Sequence, residues 1–319
     1  MRFFLRVLIV FFSFYSCKKN NVKTVDLSNT NVNLEVNRFE VDFYNASAET
    51  LPRIKNKYPF LFPKEFIDSL SLAKINDKDE QELFAETQKI YKDFTTTKDQ
   101  LVSLFKHVKY YNPKFITPKV VTILSNIDYD SRVIYADSLL LISLDVYLGK
   151  AHKFYGDYPK YIKENNTKEH IVVDVANAII SKQLPPTYNR SFVSKMIHEG
   201  KKMYLLDLYL PKISDKEKIG YEKDKLAWAE ANEEEIWMYF MDKKLLFSTD
   251  TKLNKRFLEK APFSKFYMEQ DNLSPGEIGV WVGWQIVKSY MSHNDVSLQE
   301  LLKKNELDLL NESKYKPKK

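Results

Sequence analysis

Hydrophobic positions change their period near the middle of this chain. From Arg38 to Phe43 apolar and charged residues alternate, Phe39, Val41 and Phe43 against Arg38, Glu40 and Asp42, which predicts a half-buried strand. The runs Lys119–Leu124, Arg132–Tyr135 and Leu139–Tyr147 are rich in β-branched and apolar residues and predict further strands, the last two joined as a hairpin at Ala136-Asp137-Ser138. Helical spacing over 79–95 (Leu83, Ile90, Phe94) and 98–110 (Leu101, Phe105, Val108) predicts two helices between them. The stretch from Pro52 to Pro63, with three prolines, reads as a loop anchored by aromatics. From Glu169 onward the period is helical, with helices expected at 169–183, 190–210, 214–220, 223–246, 251–260, 275–292 and 297–304. Ser274-Pro275-Gly276-Glu277 predicts a capping box with proline in the first turn. Strands first and helices after them give a helix-dominated α+β class.

The chain ends carry different signals. Arg2 and Arg6 precede an apolar run, Val7–Phe12, and Ser13–Ser16 lead into Cys17, the layout of a secretory signal. The single cysteine falls at the cleavage point that a bacterial lipoprotein would use, so Cys17 is the expected site of acylation and membrane attachment. The apolar run is far below the ~20 residues of a membrane span. Residues 1–16 are then a signal peptide, and 17–33, rich in Asn, Thr, Lys and Ser, a flexible tether. The body divides into an N-terminal helix and small-sheet lobe, 34–150, and a helical lobe, 151–310. A basic tail, 311–319, follows and reads as a solvated end.

Charge narrows the function classes. The formal net charge of +6 falls to +4 without residues 1–16, and four lysines between Lys314 and Lys319 account for the remainder. A neutral body with seven arginines among 49 basic residues lacks the basic face that phosphate backbones require, which argues against a nucleic-acid partner. One cysteine leaves no disulfide, and no glycine-rich phosphate loop is present. A lipid-anchored solute-binding protein is disfavoured, because two-lobed binders usually repeat a βαβ pattern.

The candidate chemistry lies in His198-Glu199-Gly200-Lys201-Lys202, an HExxH zinc-protease pattern without its last histidine. On a helix, positions i and i+4 share a face, so two histidines there grip one Zn²⁺ while the glutamate activates water. Lys202 replaces the second ligand by an ammonium that has no lone pair. Among Glu233-Glu234-Glu235, which precede Trp237, 100° per residue turns one side chain inward, and Glu234 is the expected one. His107, His152, His170 and His293 sit beside lysines or at helix ends, where solvated histidines are common. No cofactor is expected, and zinc only if the degenerate site of His198 and Glu234 still binds it, with Glu199 catalytic only in that case. Without a metal, Lys202 is expected to pair with Glu234, so that Lys202→Met should destabilise more than Lys201→Met; the alternative is that Lys202 reaches solvent and aromatics close the cleft.

The order of these blocks resembles a known family. Leu144-Asp145-Val146-Tyr147-Leu148-Gly149, the His198–Lys202 helix and Asn232-Glu233-Glu234-Glu235-Ile236-Trp237 come in turn. Ala261-Pro262-Phe263-Ser264-Lys265-Phe266 and Ser274–Gln285 follow them. Together they closely resemble the GldB gliding-motility lipoproteins of Bacteroidetes, over nearly the whole chain. That family in turn looks like a relative of predicted zinc-dependent peptidases with an intact HExxH, which implies a zincin-like fold. By that comparison His198 matches the first ligand, Glu199 the general base and Glu234 the third ligand, while Lys202 departs at the second. The resemblance implies a membrane lipoprotein, its soluble part facing the periplasm, that supports gliding and the linked secretion machinery through protein partners. It implies no reaction; a residual metallopeptidase is the alternative.

Overall fold

The computed structural model describes residues 25–63 and 67–319. Cys17, the signal peptide and the first part of the tether lie outside the described residues. The first half builds β1 (Val36–Arg38), α1 (Phe39–Tyr44), α2 (Leu51–Lys57), α3 (Asp68–Asn76), α4 (Lys78–Tyr91) and α5 (Thr95–Tyr111). β2 (Lys119–Ile123), β3 (Val133–Ala136) and β4 (Leu139–Ser143) complete it. One sheet forms in the order β1-β2-β4-β3, with β1, β2 and β4 parallel and β3 antiparallel at the edge. Val120, Leu140 and Ile142 enter the main core, while Val121, Leu139 and Leu141 pack with Ile54 of α2 and with Tyr58 just after it on the other face. Apolar residues on both faces are what parallel strands between helical layers require.

Two expectations fail in this half. The strand expected over Arg38–Phe43 ends at Arg38, and the alternating residues form α1 instead. Phe39 and Phe43 are four apart as well as two apart, and on the helix their rings stack at 5.2 Å. Buried Glu40 then accepts from Arg38 Nε and from Thr122 Oγ1, both at 2.5 Å. The expected loop from Pro52 to Pro63 contains α2, with Pro52 in its first turn, where a missing N–H costs nothing.

The second half is helical: α6 (Lys160–Lys163), α7 (Ile171–Gln183), α8 (Phe192–Tyr209), α9 (Asp215–Ile219), α10 (Lys223–Ala231) and α11 (Glu233–Asp242). α12 (Lys252–Phe257), α13 (Ile278–His293), α14 (Leu298–Lys303) and α15 (Glu306–Glu312) follow. The architecture is α+β and helix-rich, with the sheet in the N-terminal half. The main core joins Leu34 to Leu309 and so spans both expected lobes. Among the described residues no helix is long and apolar enough to cross a membrane.

The helix expected over 223–246 breaks at Asn232, whose side-chain amide donates back to the Trp228 carbonyl at 2.7 Å. The capping box expected at Ser274–Glu277 does not form. Ser274 Oγ donates to the Asp271 carbonyl at 2.7 Å, and the amide of Ile278 finds Ser264 Oγ at 3.2 Å. A capping box does close α14, between Ser297 and Glu300.

α8 and α13 form the centre of the helical part. Gly200 and Gly283 let the two backbones touch: a Cβ at Gly200 would overlap the Gly283 carbonyl, and one at Gly283 the Met196 carbonyl. Trp281 and Trp284 are buried on α13. Trp284 Nε1 donates to Asp207 of α8 at 2.8 Å, and the same carboxylate takes the buried Lys218 ammonium at 2.7 Å. The tail is not a free end: Ser313 is buried, and the partly buried Tyr315 donates its hydroxyl to Glu233 at 2.9 Å.

Candidate functional site

The motif helix, α8, presents its five residues to four surroundings. His198 and Glu199 are half-buried and line a surface cleft of about 230 Å³ with Thr187, Lys195, Asn254 and Glu259. Burial, with the Lys202 charge, holds the His198 imidazole below its ordinary pKa and favours its neutral form. Gly200 lies in the α8–α13 contact. Lys201 is buried at 1% exposure, its ammonium 2.6 Å from the Lys304 carbonyl and 3.1 Å from Glu306. Lys202 points the other way, partly exposed, and its ammonium meets Glu199 Oε1 at 2.8 Å.

Three site expectations are therefore corrected. Lys202 pairs with Glu199, one helical turn away on its own helix, and not with Glu234. The buried glutamate of α11 is Glu233, at 2% exposure, while Glu234 stays partly exposed. The helix break at Asn232 resets the phase from which an inward Glu234 was inferred. Of the two lysines, Lys201 holds the buried ion pair. The donor set does not suit zinc: an ammonium occupies the second ligand position, and Glu234 does not line the cleft of His198. Among the described residues no three His, Cys, Asp or Glu are grouped so as to hold a metal ion.

A second polar centre lies between the sheet and the helices, and the sequence reading missed it. Asp174 of α7 accepts from Arg132 Nε and from the Tyr147 hydroxyl, both at 2.8 Å, with His170 Nε2 at 3.5 Å. Burial would raise this carboxyl, but His170 and Arg132 outweigh it and hold Asp174 well below the usual range. His170 is buried, contrary to the solvated role expected of it, because Glu217 Oε1 meets its Nδ1 at 2.8 Å. Burial opposes its charge, yet Asp174 and Glu217 prevail and raise its pKa. Arg132 also donates to Asn166 Oδ1 at 2.8 Å and to the Asn165 carbonyl at 2.6 Å.

This network backs onto a small pocket of about 50 Å³, lined among others by Tyr161, Asn165, Tyr221, Lys260 and Glu277. Lys260 sends its ammonium to the Tyr129 hydroxyl at 3.1 Å. Glu277, just before α13, is partly buried and adopts φ +55°, in the left-handed region that glycine favours. Among the described residues its carboxylate makes no hydrogen bond and no ion pair. Burial pushes it up to about 7; Lys260 works against this and Glu199 adds to it. A carboxyl poised near neutrality beside an ammonium suits proton exchange or recognition of a charged group.

The signal for this centre was present. Asp174 interrupts the apolar run Ile171–Ile180, and Arg132 is one of seven arginines in the chain. A charge inside an apolar face needs a partner, but its partners come from α9 and from distant loops that no local pattern identifies.

No curated protein matches the chain, and neither does any solved structure. The model of the family described as "Gliding motility protein GldB" matches residues 20–317, nearly the whole length, and the chain belongs to that gliding-motility family.

Proposed function

We propose that this gliding motility protein is a lipoprotein, acylated at Cys17 and facing the periplasm, that supports gliding and the linked secretion machinery by protein contacts rather than by catalysis. The observation that carries the non-catalytic part is the Lys202–Glu199 ion pair. One of the two oxygens through which a general base would reach water is taken by an ammonium at 2.8 Å. Around it, Gly200 and Lys201 serve helix packing, so four of the five motif residues have structural partners.

A residual metallopeptidase keeps one observation on its side, the neutral-favoured His198 imidazole at the edge of a cleft. The two readings separate on one strain. Chromosomal Glu199→Gln should leave colony spreading intact if contacts are the function, whereas loss of spreading with normal protein levels would favour the peptidase. Anchoring is tested by labelled palmitate. The label should enter the wild type and be absent from Cys17→Ala, since stable attachment needs the acyl chains. Label retained by Cys17→Ala would refute the anchor.

A further inference from the structure

Charge around the Glu277 pocket is uneven once each head group is traced. Of its lysines, Lys225 gives its ammonium to the carbonyls of Asn272 (2.5 Å) and Ser274 (2.9 Å), and Lys260 turns to Tyr129. Of its glutamates, Glu164 takes Lys150 at 2.9 Å and Glu222 takes Lys160 at 2.7 Å. Among the described residues, Glu277 alone of these charged groups is left without a hydrogen bond or ion pair. Tyr161 and Tyr221 add aromatic rings to the walls.

We propose that this pocket receives a primary ammonium on an unbranched alkyl stem, the end of a lysine side chain of a partner protein, against the Glu277 carboxylate. A carboxylate with tyrosine rings beside it is the chemistry that recognises an alkylammonium. Size excludes larger ligands. About 50 Å³ holds an ammonium and its last methylenes, whereas nucleotide- or sugar-sized ligands need several hundred. An ethanolamine lipid head carries the same ammonium, but its phosphate lies two carbons away and would meet Glu164 and Glu222 at the walls. The lysine stem brings no anion. The left-handed backbone at Glu277 fits this use: a glycine there would be unstrained but would have no carboxylate to offer.

The proposal rests on the protein-contact reading for the owner of the stem, and the test isolates the pocket. Titration of the purified protein with Nα-acetyl-lysine methylamide, followed by ligand-observed NMR, should show saturable binding on the order of millimolar. The norleucine analogue and phosphoethanolamine should not compete. Glu277→Gln should weaken binding at least tenfold. Equal binding of the norleucine analogue, tighter binding of phosphoethanolamine, or lysine binding unchanged in Glu277→Gln would overturn the pocket assignment. Those outcomes leave the contact reading standing, just as a loss of spreading in Glu199→Gln would leave the pocket standing.

Discussion

Replacing Lys201 by methionine should unlock the carboxyl-terminal helices from α8. Among the described residues the Lys201 ammonium is the one cation on Glu306, at 3.1 Å, and it also satisfies the Lys304 carbonyl at 2.6 Å, where α14 gives way to α15. Methionine keeps the stem and its packing but leaves the Glu306 carboxylate with only the Thr187 hydroxyl, at 3.2 Å. Breaking a buried pair from one side costs about 3–5 kcal/mol. Lys202 offers the internal comparison. Its pair with Glu199 joins groups 28% and 32% exposed, three residues apart on one helix, and such pairs are worth about 0.5 kcal/mol. Lys201→Met should therefore lower the melting temperature by about 6–10 °C and Lys202→Met by about 1–2 °C. Urea unfolding followed by tryptophan fluorescence gives the same ranking. Lys201→Met with Glu306→Leu should recover part of the loss, because no unpaired charge remains. Equal effects of the two single substitutions, or a larger one for Lys202→Met, would refute the assignment of Lys201 as the buried partner.

Gly200→Ala should destabilise by about 3 kcal/mol, since the new methyl overlaps the Gly283 carbonyl and forces two helices apart. Gly156→Ala, whose methyl meets only an ordinary 3.7 Å contact, is the control, and similar melting points for both would sink the argument. His170 has a raised pKa, so its stabilising contribution is full below its ordinary 6.5 and declines as pH rises through the raised value. Urea midpoints measured upward from pH 6 should accordingly fall more steeply for the wild type than for His170→Gln; parallel slopes would speak against a charged His170. Tyr315→Phe should cost about 1–3 kcal/mol, because Glu233 Oε2 is already buried without a partner and Oε1 would lose its donor. The same change should speed carboxypeptidase digestion of the tail, whereas Glu234→Gln should alter neither quantity.

The periodic elements were readable because one face of each is buried locally. α4, α5, α7 and α8 fall within a few residues of their expected spans, and the β3–β4 hairpin turns where Asp137 supplies a left-handed residue. The failures have physical causes. In Phe39-Glu40-Val41-Asp42-Phe43 the same residues satisfy a period of two and a spacing of four, and the contact with Phe62 and Tyr58 that decides between them is not local. The proline-marked segment reads as a loop until proline is placed in the first turn of α2. Lys201 and Lys202 are indistinguishable by type. Only the distant Glu306, on a helix the sequence did not announce, shows which one is buried.

Packing accounts for most of the string that first suggested a peptidase. Gly200 is required by the approach of α13, Lys201 by Glu306, and Lys202 has its own carboxylate within a helical turn. His198 is the member of the string that these contacts leave unexplained. The residues that packing explains least lie elsewhere, at the amino end of α13. Glu277 keeps a carboxylate without a partner among the described residues, in a backbone conformation that disfavours any side chain, an arrangement that costs on the order of 1–3 kcal/mol. Natural chains retain such costs where function needs the group. The pocket of Glu277 and Lys260, more than the motif helix, holds the group that packing leaves unexplained. The network of Arg132, Asp174 and His170 reaches this pocket through Asn165, whose carbonyl accepts from Arg132 at 2.6 Å. If gliding depends on what this chain holds, Glu277→Gln should impair spreading in cells while Glu199→Gln does not, and the reverse ranking would return the function to the motif helix.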